Sequence, residues 1–330
     1  MLRRPPSSTL FPYTTLFRYV TDGKISGALV VMDDISHEKR IKTMMYRYMT
    51  QEVAEQLLST GEISLGGQLK EVTVLFSDIR SYTTLTEGMR ADEVVALLNE
   101  YFEEMVDVIF KYKGTLDKYI GDAIMAVFGA PLPLKEHAWC AVQTALEMSQ
   151  RLKEFNRRKK AEGKRTIKIG IGINSGEVIS GNIGSSKRME LTAIGDGVNL
   201  SSRLEGTTKQ YGCQIIVSEK TYRPNADRVY AREIDFITVK GKTEPVMIYE
   251  IIGLRSDPIE ATVLETVEKY ETGRELYRRR QFKEALEKFQ SVLEIVPDNL
   301  AAQIHVERCE LFLKEPPEEN WDGVWKLTEK

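Results

Sequence analysis

Two aspartates near the ends of predicted strands are the residues of this sequence best suited to chemistry. Asp78 follows the apolar run Val72–Phe76, and Asp122 follows the turn at Ile120-Gly121. If the two strands lie side by side, the carboxylates meet although they are far apart in sequence. Paired carboxylates with nearby backbone carbonyls suit hard divalent cations that keep waters and contact phosphates. The pair therefore predicts metal-assisted phosphoryl chemistry, in which an attacking oxygen is activated and a leaving oxygen is stabilised.

Cysteine and histidine offer no competing metal site. The chain has three cysteines and three histidines. They are widely spaced, without a CxxC pair, so neither a disulfide framework nor a Cys/His zinc site is supported. Any metal must be held by carboxylates. The residues in question are Cys140, Cys213, Cys309, His37, His137 and His305.

A second polar pair lies on a predicted helix. Asn199 and Arg203 are four residues apart, so their side chains project from one helix face. The planar guanidinium of arginine suits phosphate and does not lose its proton. Taken alone, Arg203 reads as an ordinary surface arginine, and only its neighbours can assign it a role.

The elements that must position these residues alternate between residues 70 and 253. Glu71–Ser77 is apolar almost throughout, as is typical of a buried strand. Residues 91–112 carry one apolar stripe and predict an amphipathic helix, and Ile167–Ile173 alternates with period two. The β-α-β-β-α-β order predicts an α+β fold of ferredoxin-like type with an antiparallel-rich sheet. A hairpin is expected at Glu177–Asn182.

Four segments match, in order, the motifs of a known catalytic domain. They read FSDIRSYT, LDKYIGDAIMAVFGAP, GINSGEVISGNIG and LTAIGDGVNLSSRLE. In these segments the chain resembles the class III nucleotidyl cyclase catalytic domain, which we place at residues 66–254. The resemblance implies that Asp78 and Asp122 hold two divalent cations, Mg²⁺ or Mn²⁺. It also implies in-line attack of a 3′-hydroxyl on the α-phosphorus of the same nucleotide, with release of pyrophosphate.

The resemblance assigns the remaining substrate contacts. Asn199 would orient the ribose, and Arg203 would stabilise the charged transition state. Lys240 would contact the terminal phosphates, with Lys242 as a rival for that role. Each assignment concerns a residue that matches the family motif in this sequence.

Lys118 and Thr192 fall at the positions that recognise the purine. A lysine donor and a hydroxyl suit adenine, whose N1 accepts and whose 6-amino group donates. Guanylate cyclases typically carry Glu and Cys there. The resemblance therefore implies an adenylate cyclase that converts ATP to cyclic AMP. Family members with Thr at the Thr192 position are often described as bicarbonate-responsive, which we carry as a hypothesis.

In this family two chains pair head to tail and share each active site. The resemblance implies a homodimer in which one protomer supplies the aspartates and its partner supplies Lys118, Thr192, Asn199 and Arg203. Three alternatives stay open: a catalytically silent cyclase-fold docking module, a guanylate cyclase, and a diguanylate cyclase. The GGDEF-type hairpin of the last is replaced here by YIGDA.

The charge balance excludes some other classes of partner. Lys and Arg total 46 against 49 Asp and Glu, so the formal net charge is -3. Such a balance does not support a nucleic-acid-coating protein or a polybasic membrane binder. No stretch reaches the roughly 18 apolar residues of a membrane helix. We expect a cytoplasmic location for this fragment.

The segments outside residues 66–254 do not belong to the predicted catalytic domain. Residues 9–18, TLFPYTTLFR, resemble one reading frame of a sequencing-adapter oligonucleotide, so we interpret residues 1–18 as an assembly artefact. Residues 19–37 resemble the last strand of a PAS sensor domain, which implies an upstream sensor. Residues 38–65 predict a signalling helix or linker. Residues 262–330 predict a separate, tetratricopeptide-like helical extension that packs on a neighbour because one repeat cannot bury its own face.

Overall fold

The chain forms two compact units, residues 1–47 and 48–330. In the first unit, β1 (Thr14–Thr21) pairs antiparallel with β2 (Lys24–Met32), and α1 (Ser36–Met45) follows. The artefact and PAS-like interpretations of this region remain predictions. The computed structural model describes residues 14–21, 24–32, 36–51, 54–55, 58, 66–185, 188–238 and 244–327.

The second unit is a mixed α/β structure with helices at its C-terminal end. Across the residues that are described, no helix is long and apolar enough to cross a bilayer. In chain order the elements are β3 (Gly66–Ile79), α2 (Tyr82–Thr86), α3 (Ala91–Lys111), β4 (Thr115–Ile120), β5 (Ala123–Phe128), α4 (His137–Ala161), β6 (Ile169–Ser185), β7 (Arg188–Ile194), α5 (Asp196–Tyr211), β8 (Ile215–Ser218), α6 (Glu219–Tyr222), a 3₁₀ turn (Arg223–Asn225), β9 (Val229–Thr238), β10 (Val246–Leu254), α7 (Ala261–Arg278), α8 (Phe282–Ile295), α9 (Leu300–Lys314) and β11 (Trp325–Lys326).

The centre of the sheet has the predicted ferredoxin-like arrangement. Its strands lie in the order β6-β3-β5-β4, and all three neighbouring pairs are antiparallel. Strand β3 is buried on both faces because Val72 and Val74 join one apolar cluster while Leu75 and Ile79 join the other. Its near-continuous apolar sequence reflects this two-sided burial. The predicted α+β class is confirmed.

Strand β6 is longer than its sequence pattern predicts. The hairpin expected at Glu177–Asn182 is wrong, because those residues continue the ladder with Gly66–Glu71 of β3. The strand persists because a paired partner satisfies its backbone groups over the whole length. It turns back into β7 only beyond Ser185. The β6–β7 hairpin therefore extends past the core of the sheet.

The C-terminal helices share a buried core with α5 and the sheet. The other strands extend the sheet beyond β6, with β8 parallel to β6 and then β10, β9 and β11. Tyr270 and Phe289 from α7 and α8 lie in the same buried cluster as Leu204 and Tyr211 of α5. Helices α7 and α8 thus pack on α5 and lie in the same compact unit as the sheet.

A buried ionic cluster ties this tail to the sheet and to α5. The carboxylate of Asp235 on β9 pairs with Arg274 at 2.9 Å and also with Arg308. It accepts a hydrogen bond of 2.6 Å from the Tyr211 hydroxyl at the end of α5. Burial alone would raise the pKa of Asp235, but the two arginines outweigh burial and hold the pKa well below its usual range.

His305 completes this cluster in its neutral form. Its Nδ1 lies 2.9 Å from the Ala301 carbonyl, and its Nε2 lies 2.9 Å from an Arg274 nitrogen that can only donate. Burial lowers the pKa of His305 to about 4, and the neighbouring Asp235 opposes this only in part. As the pH falls, His305 therefore becomes protonated near pH 6.5 in the unfolded chain, but only near pH 4 in the folded chain.

We expect the free energy of unfolding to fall as the pH decreases from 6.5 to 4. The contribution of His305 amounts to about 3 kcal/mol across that window, from the shift in its pKa. Denaturant titrations at successive pH values measure it. A His305→Gln variant should lose less stability over the same window, since glutamine does not titrate. Parallel pH profiles for the two proteins would contradict this assignment.

Candidate active site

The two predicted metal-binding aspartates lie together at one end of the central strands. Asp78 is the second-last residue of β3, and Asp122 occupies the turn between β4 and β5. Gly121, with a φ of 66°, takes the left-handed conformation that this turn requires. Since β3 and β5 are neighbours, the turn brings Asp122 to the end of β3. The two carboxyl groups lie close enough for Asp78 to raise the pKa of Asp122.

The electrostatics of the pair suit a divalent cation. Burial and, after it, the neighbouring Asp78 carboxyl raise the pKa of Asp122 to about 6. A divalent cation bound between the two carboxylates would offset the repulsion of their like charges. Their donor set is entirely hard oxygen, as Mg²⁺ or Mn²⁺ requires. The residues present therefore fit such a metal.

Sequence reasoning missed an ion pair beside these aspartates. Arg80, two residues beyond Asp78, lies 3.4 Å from Glu205 on α5 and also donates to Thr208. Burial and, after it, the negative charge of Asp78 raise the pKa of Glu205 to about 7, although Arg80 opposes the rise. Arg80 thus pairs with Glu205 and also interacts electrostatically with Asp78. Arg80 and Glu205 both fall within the matched motifs, but their spacing alone does not reveal the contact.

Helix α5 turns opposite faces to this site and to solvent. Glu205 faces the site, because burial and the charges of Asp78 and Asp122 raise its pKa. Arg203 lies about 200° around the helix from Glu205, and Asn199 shares the face of Arg203. Asn199 is exposed, Arg203 is half-buried, and within the described chain neither side chain forms an ion pair or a hydrogen bond with the aspartates. One chain therefore presents these two groups away from its own aspartate pair.

A glycine sets the position of α5 on the sheet. A Cβ at Gly172 of β6 would overlap the backbone nitrogen of Glu205 and the carbonyl oxygen of Ser201. The helix backbone therefore lies directly on the strand at this point. Only the absence of a side chain permits this approach.

We expect Gly172→Ala to abolish most of the enzymatic activity, because α5 must move to make room. A displacement of about 1 Å in a catalytic group costs on the order of 100-fold in rate. Gly176→Ala is a matched control on the same strand, since nothing lies within 4 Å of the added Cβ. Turnover and melting temperature are measured for both. Equal activity of the two variants would show that α5 does not need this close packing.

Lys118 and Thr192, the predicted purine-binding residues, both contact Asp117. Asp117 is not among the site residues predicted from the sequence. The Thr192 hydroxyl donates to Asp117 Oδ1 at 2.9 Å, and the Ala193 N–H donates to Asp117 Oδ2 at 3.1 Å. The Lys118 ammonium lies 3.5 Å from Asp117 Oδ1 and 2.9 Å from Glu190. Burial raises the pKa of Asp117, and the Thr192 hydrogen bond opposes part of that rise.

A β-bulge explains how Asp117 reaches β7. In the ladder with β5, Leu116 pairs with Ala126 and Lys118 pairs with Met125, so Asp117 has no opposite residue. A bulge locally breaks the alternation of side chains and re-aims one of them. The bulge lets the Asp117 side chain contact Thr192 although Lys118, the next residue, lies beside the same carboxylate.

The structure thus groups the predicted residues into three clusters. Among the residues that it describes, no hydrogen bond or ion pair joins the aspartate pair to Lys118 or Thr192. Lys240 and its rival Lys242 lie outside the described residues, so their predicted phosphate contacts stay predictions.

Comparison with known proteins places this arrangement in a family. Residues 66–253 match the adenylate and guanylate cyclase catalytic domain. The chain belongs to this cyclase family. The matched segment coincides with the predicted domain to within one residue at its C-terminal end. It contains all three clusters.

Characterised cyclases are similar to this cyclase chain in sequence and in fold. An adenylate cyclase of Anabaena cylindrica is 41% identical over 55% of the chain. The crystal structure of the adenylyl cyclase CyaB from P. aeruginosa is 37% identical, with a TM-score of 0.55 over 59% of this chain and 100% of that one. The crystal structure of the guanylyl cyclase Cya2 has 39% sequence identity to this chain and a TM-score of 0.53. The match covers 58% of this chain and 95% of Cya2. The cyclase chain spans 13% to 37% of the length of the first curated relatives that it matches.

Proposed function

We propose that this chain is an adenylate cyclase that converts ATP into 3′,5′-cyclic AMP and pyrophosphate. The observation that carries the proposal is the meeting of Lys118 and Thr192 at Asp117. A lysine ammonium offers a donor to N1 of adenine, and a hydroxyl offers an acceptor to the 6-amino group. The similarity to adenylate cyclases supports the same substrate.

The proposed roles of the other residues follow from their positions. Asp78 and Asp122 would hold two divalent cations, which when bound neutralise phosphate charge and activate the 3′-hydroxyl. Asn199 orients the ribose, and Arg203 stabilises the charge that develops on the transferring phosphoryl group. Lys240, or its rival Lys242, would contact the terminal phosphates, as the resemblance to the family implies. Phosphoryl transfer requires this positioning and charge stabilisation rather than a covalent intermediate.

We further propose a head-to-tail homodimer with two shared sites. The face of α5 that carries Asn199 and Arg203 points away from the aspartates of its own chain, which supports their use by a second copy. Large apolar side chains near the site are exposed and suit burial between copies. These residues are Tyr119, Ile120, Met189, Leu191 and Ile194.

The segments on either side of the cyclase domain are proposed to have regulatory roles. The β1–β2 hairpin followed by α1 is compatible with the end of a PAS-type sensor. Helices α7 and α8 resemble one tetratricopeptide-type pair, in which Gly273 lets the Phe289 ring approach the helix backbone. Both assignments concern regulation and are independent of the catalytic proposal.

A guanylate cyclase is the second candidate, because Cya2 is about as similar to this chain as CyaB. A cyclase assay with ATP and GTP, each with Mg²⁺ or Mn²⁺, decides between them. We expect cyclic AMP from ATP and little cyclic GMP from GTP. Preference for GTP would replace the adenylate assignment. Absence of both products from a folded dimer would favour a silent docking module.

A further inference from the structure

The Thr192 hydroxyl is not free to rotate toward a ligand. A threonine hydroxyl has one hydrogen to donate and two lone pairs to accept with. Here the hydrogen is directed to Asp117 Oδ1 at 2.9 Å. Only the lone pairs remain for anything bound beside Thr192. An isolated threonine would instead serve as donor or acceptor, and would accept either a 6-amino or a 6-oxo purine.

The surroundings of Asp117 favour a carboxylate that accepts the hydrogen of the Thr192 hydroxyl. Its side chain is only 3% exposed. Three donors converge on its two oxygens, namely the Thr192 hydroxyl, the Ala193 N–H and the Lys118 ammonium. Within the described part of the chain, the carboxylate faces donors alone, so it needs no proton of its own. An ionised carboxylate only accepts hydrogen bonds.

We propose that Asp117 is a specificity-determining positioning residue that makes the Thr192 hydroxyl an obligate acceptor and so selects a 6-amino purine over a 6-oxo purine. The inference rests on the proposed function, since it concerns the base of the same substrate. Asp117 need not touch the nucleotide. It acts through Thr192, and the bulge in β4 is what brings it there.

The isosteric variant Asp117→Asn tests this inference. The asparagine oxygen keeps its bond to the Ala193 N–H, so its amide nitrogen faces Thr192 and donates to the hydroxyl. The hydroxyl hydrogen is then free to donate to a 6-oxo group. Inosine triphosphate carries such a group and lacks the 2-amino group of guanine, so its base differs from adenine only at C6 and at the adjoining N1. The N1 difference is the same for the wild type and the variant, so a change in the ratio reports on the contact at C6. We expect the ratio of kcat/KM for ATP over inosine triphosphate to fall about tenfold or more.

A double-mutant cycle separates this role from a structural one. Thr192→Val removes the hydroxyl and should itself reduce the preference for ATP. In that background, Asp117→Asn should leave the ratio unchanged, because the group through which it acts is missing. The exposed Asp227 offers a matched control, and Asp227→Asn should keep the wild-type ratio. The smaller Asp117→Ser removes the same obligate acceptor and replaces Asp117→Asn if that variant does not fold.

The outcomes distinguish this inference from the proposed function. A folded wild-type protein that cyclises neither ATP nor GTP contradicts the proposed function. An active wild type whose preference for ATP is unchanged by Asp117→Asn or Asp117→Ser contradicts only the role of Asp117. A change in the ratio that persists in the Thr192→Val background shows that Asp117 does not act through Thr192, and also overturns the inference.

Discussion

A one-to-one mixture of Asp78→Ala and Arg203→Ala chains should recover about a quarter of the wild-type cyclase activity, although each variant alone is inactive. Half of the dimers in a random mixture contain one chain of each kind, and each such dimer has one intact site when sites are shared. Loss of either residue should lower the rate of its site by about 100-fold or more, since both stabilise developing charge. The measurement is cyclic AMP formation after the two chains are mixed and allowed to exchange.

The matched control combines two variants from the same side of the site. Asp78→Ala and Asp122→Ala chains should not rescue each other, because every mixed dimer then has one damaged aspartate in each site. Differently tagged chains show that mixed dimers have formed. No recovery in the first mixture despite mixed dimers would mean that each chain completes its own site. Recovery in the control would mean that Asp78 and Asp122 reach one site from different chains. The opposed faces of α5 motivate the first outcome.

Asp235→Ala should lower the free energy of unfolding by about 3–5 kcal/mol, the usual cost of removing one partner from a buried ion pair. The variant leaves Arg274 and Arg308 buried without their shared carboxylate and removes the acceptor of the Tyr211 hydroxyl. Because Tyr211 ends α5, we also expect reduced cyclase activity in protein that is still folded. Denaturant unfolding and a cyclase assay measure the two effects.

An exposed aspartate provides the comparison for this variant. Asp257→Ala should change the stability by no more than about 0.5 kcal/mol, as is usual for surface substitutions. A decrease below about 1 kcal/mol for Asp235→Ala would show that the cluster around Asp235 does not hold the tail against the sheet. Unchanged activity with reduced stability would show that the tail stabilises the domain without positioning α5.

Local patterns in the sequence were enough to predict the central fold. The apolar run of β3, the period-two alternation at the start of β6 and the stripe of α3 reflect burial, which acts on each element through its own side chains. Their order specifies the ferredoxin-like arrangement and places Asp78 and Asp122 at strand ends. The four motifs were sufficient to indicate the cyclase family.

Long-range pairing decided what the sequence did not show. Strand β6 continues through Glu177–Asn182 because β3 pairs with it there, and that ladder overrides the local turn signal of Ser180-Gly181-Asn182. The tail merges with the core through Asp235, whose partners Arg274 and Arg308 follow much later in the chain. Such contacts depend on which surfaces meet after folding, so no window of sequence contains them.

The sequence by itself predicted the chemistry of this protein: two carboxylates for metals, and a lysine and a threonine for a purine. Tertiary structure alone decided how those groups are presented. The bulge at Asp117 directs a buried carboxylate to the Thr192 hydroxyl, and packing on Gly172 turns Glu205 inward and Arg203 outward. Residue types follow from the sequence, but the direction of a hydrogen bond or of a helix face depends on neighbours that only the fold supplies.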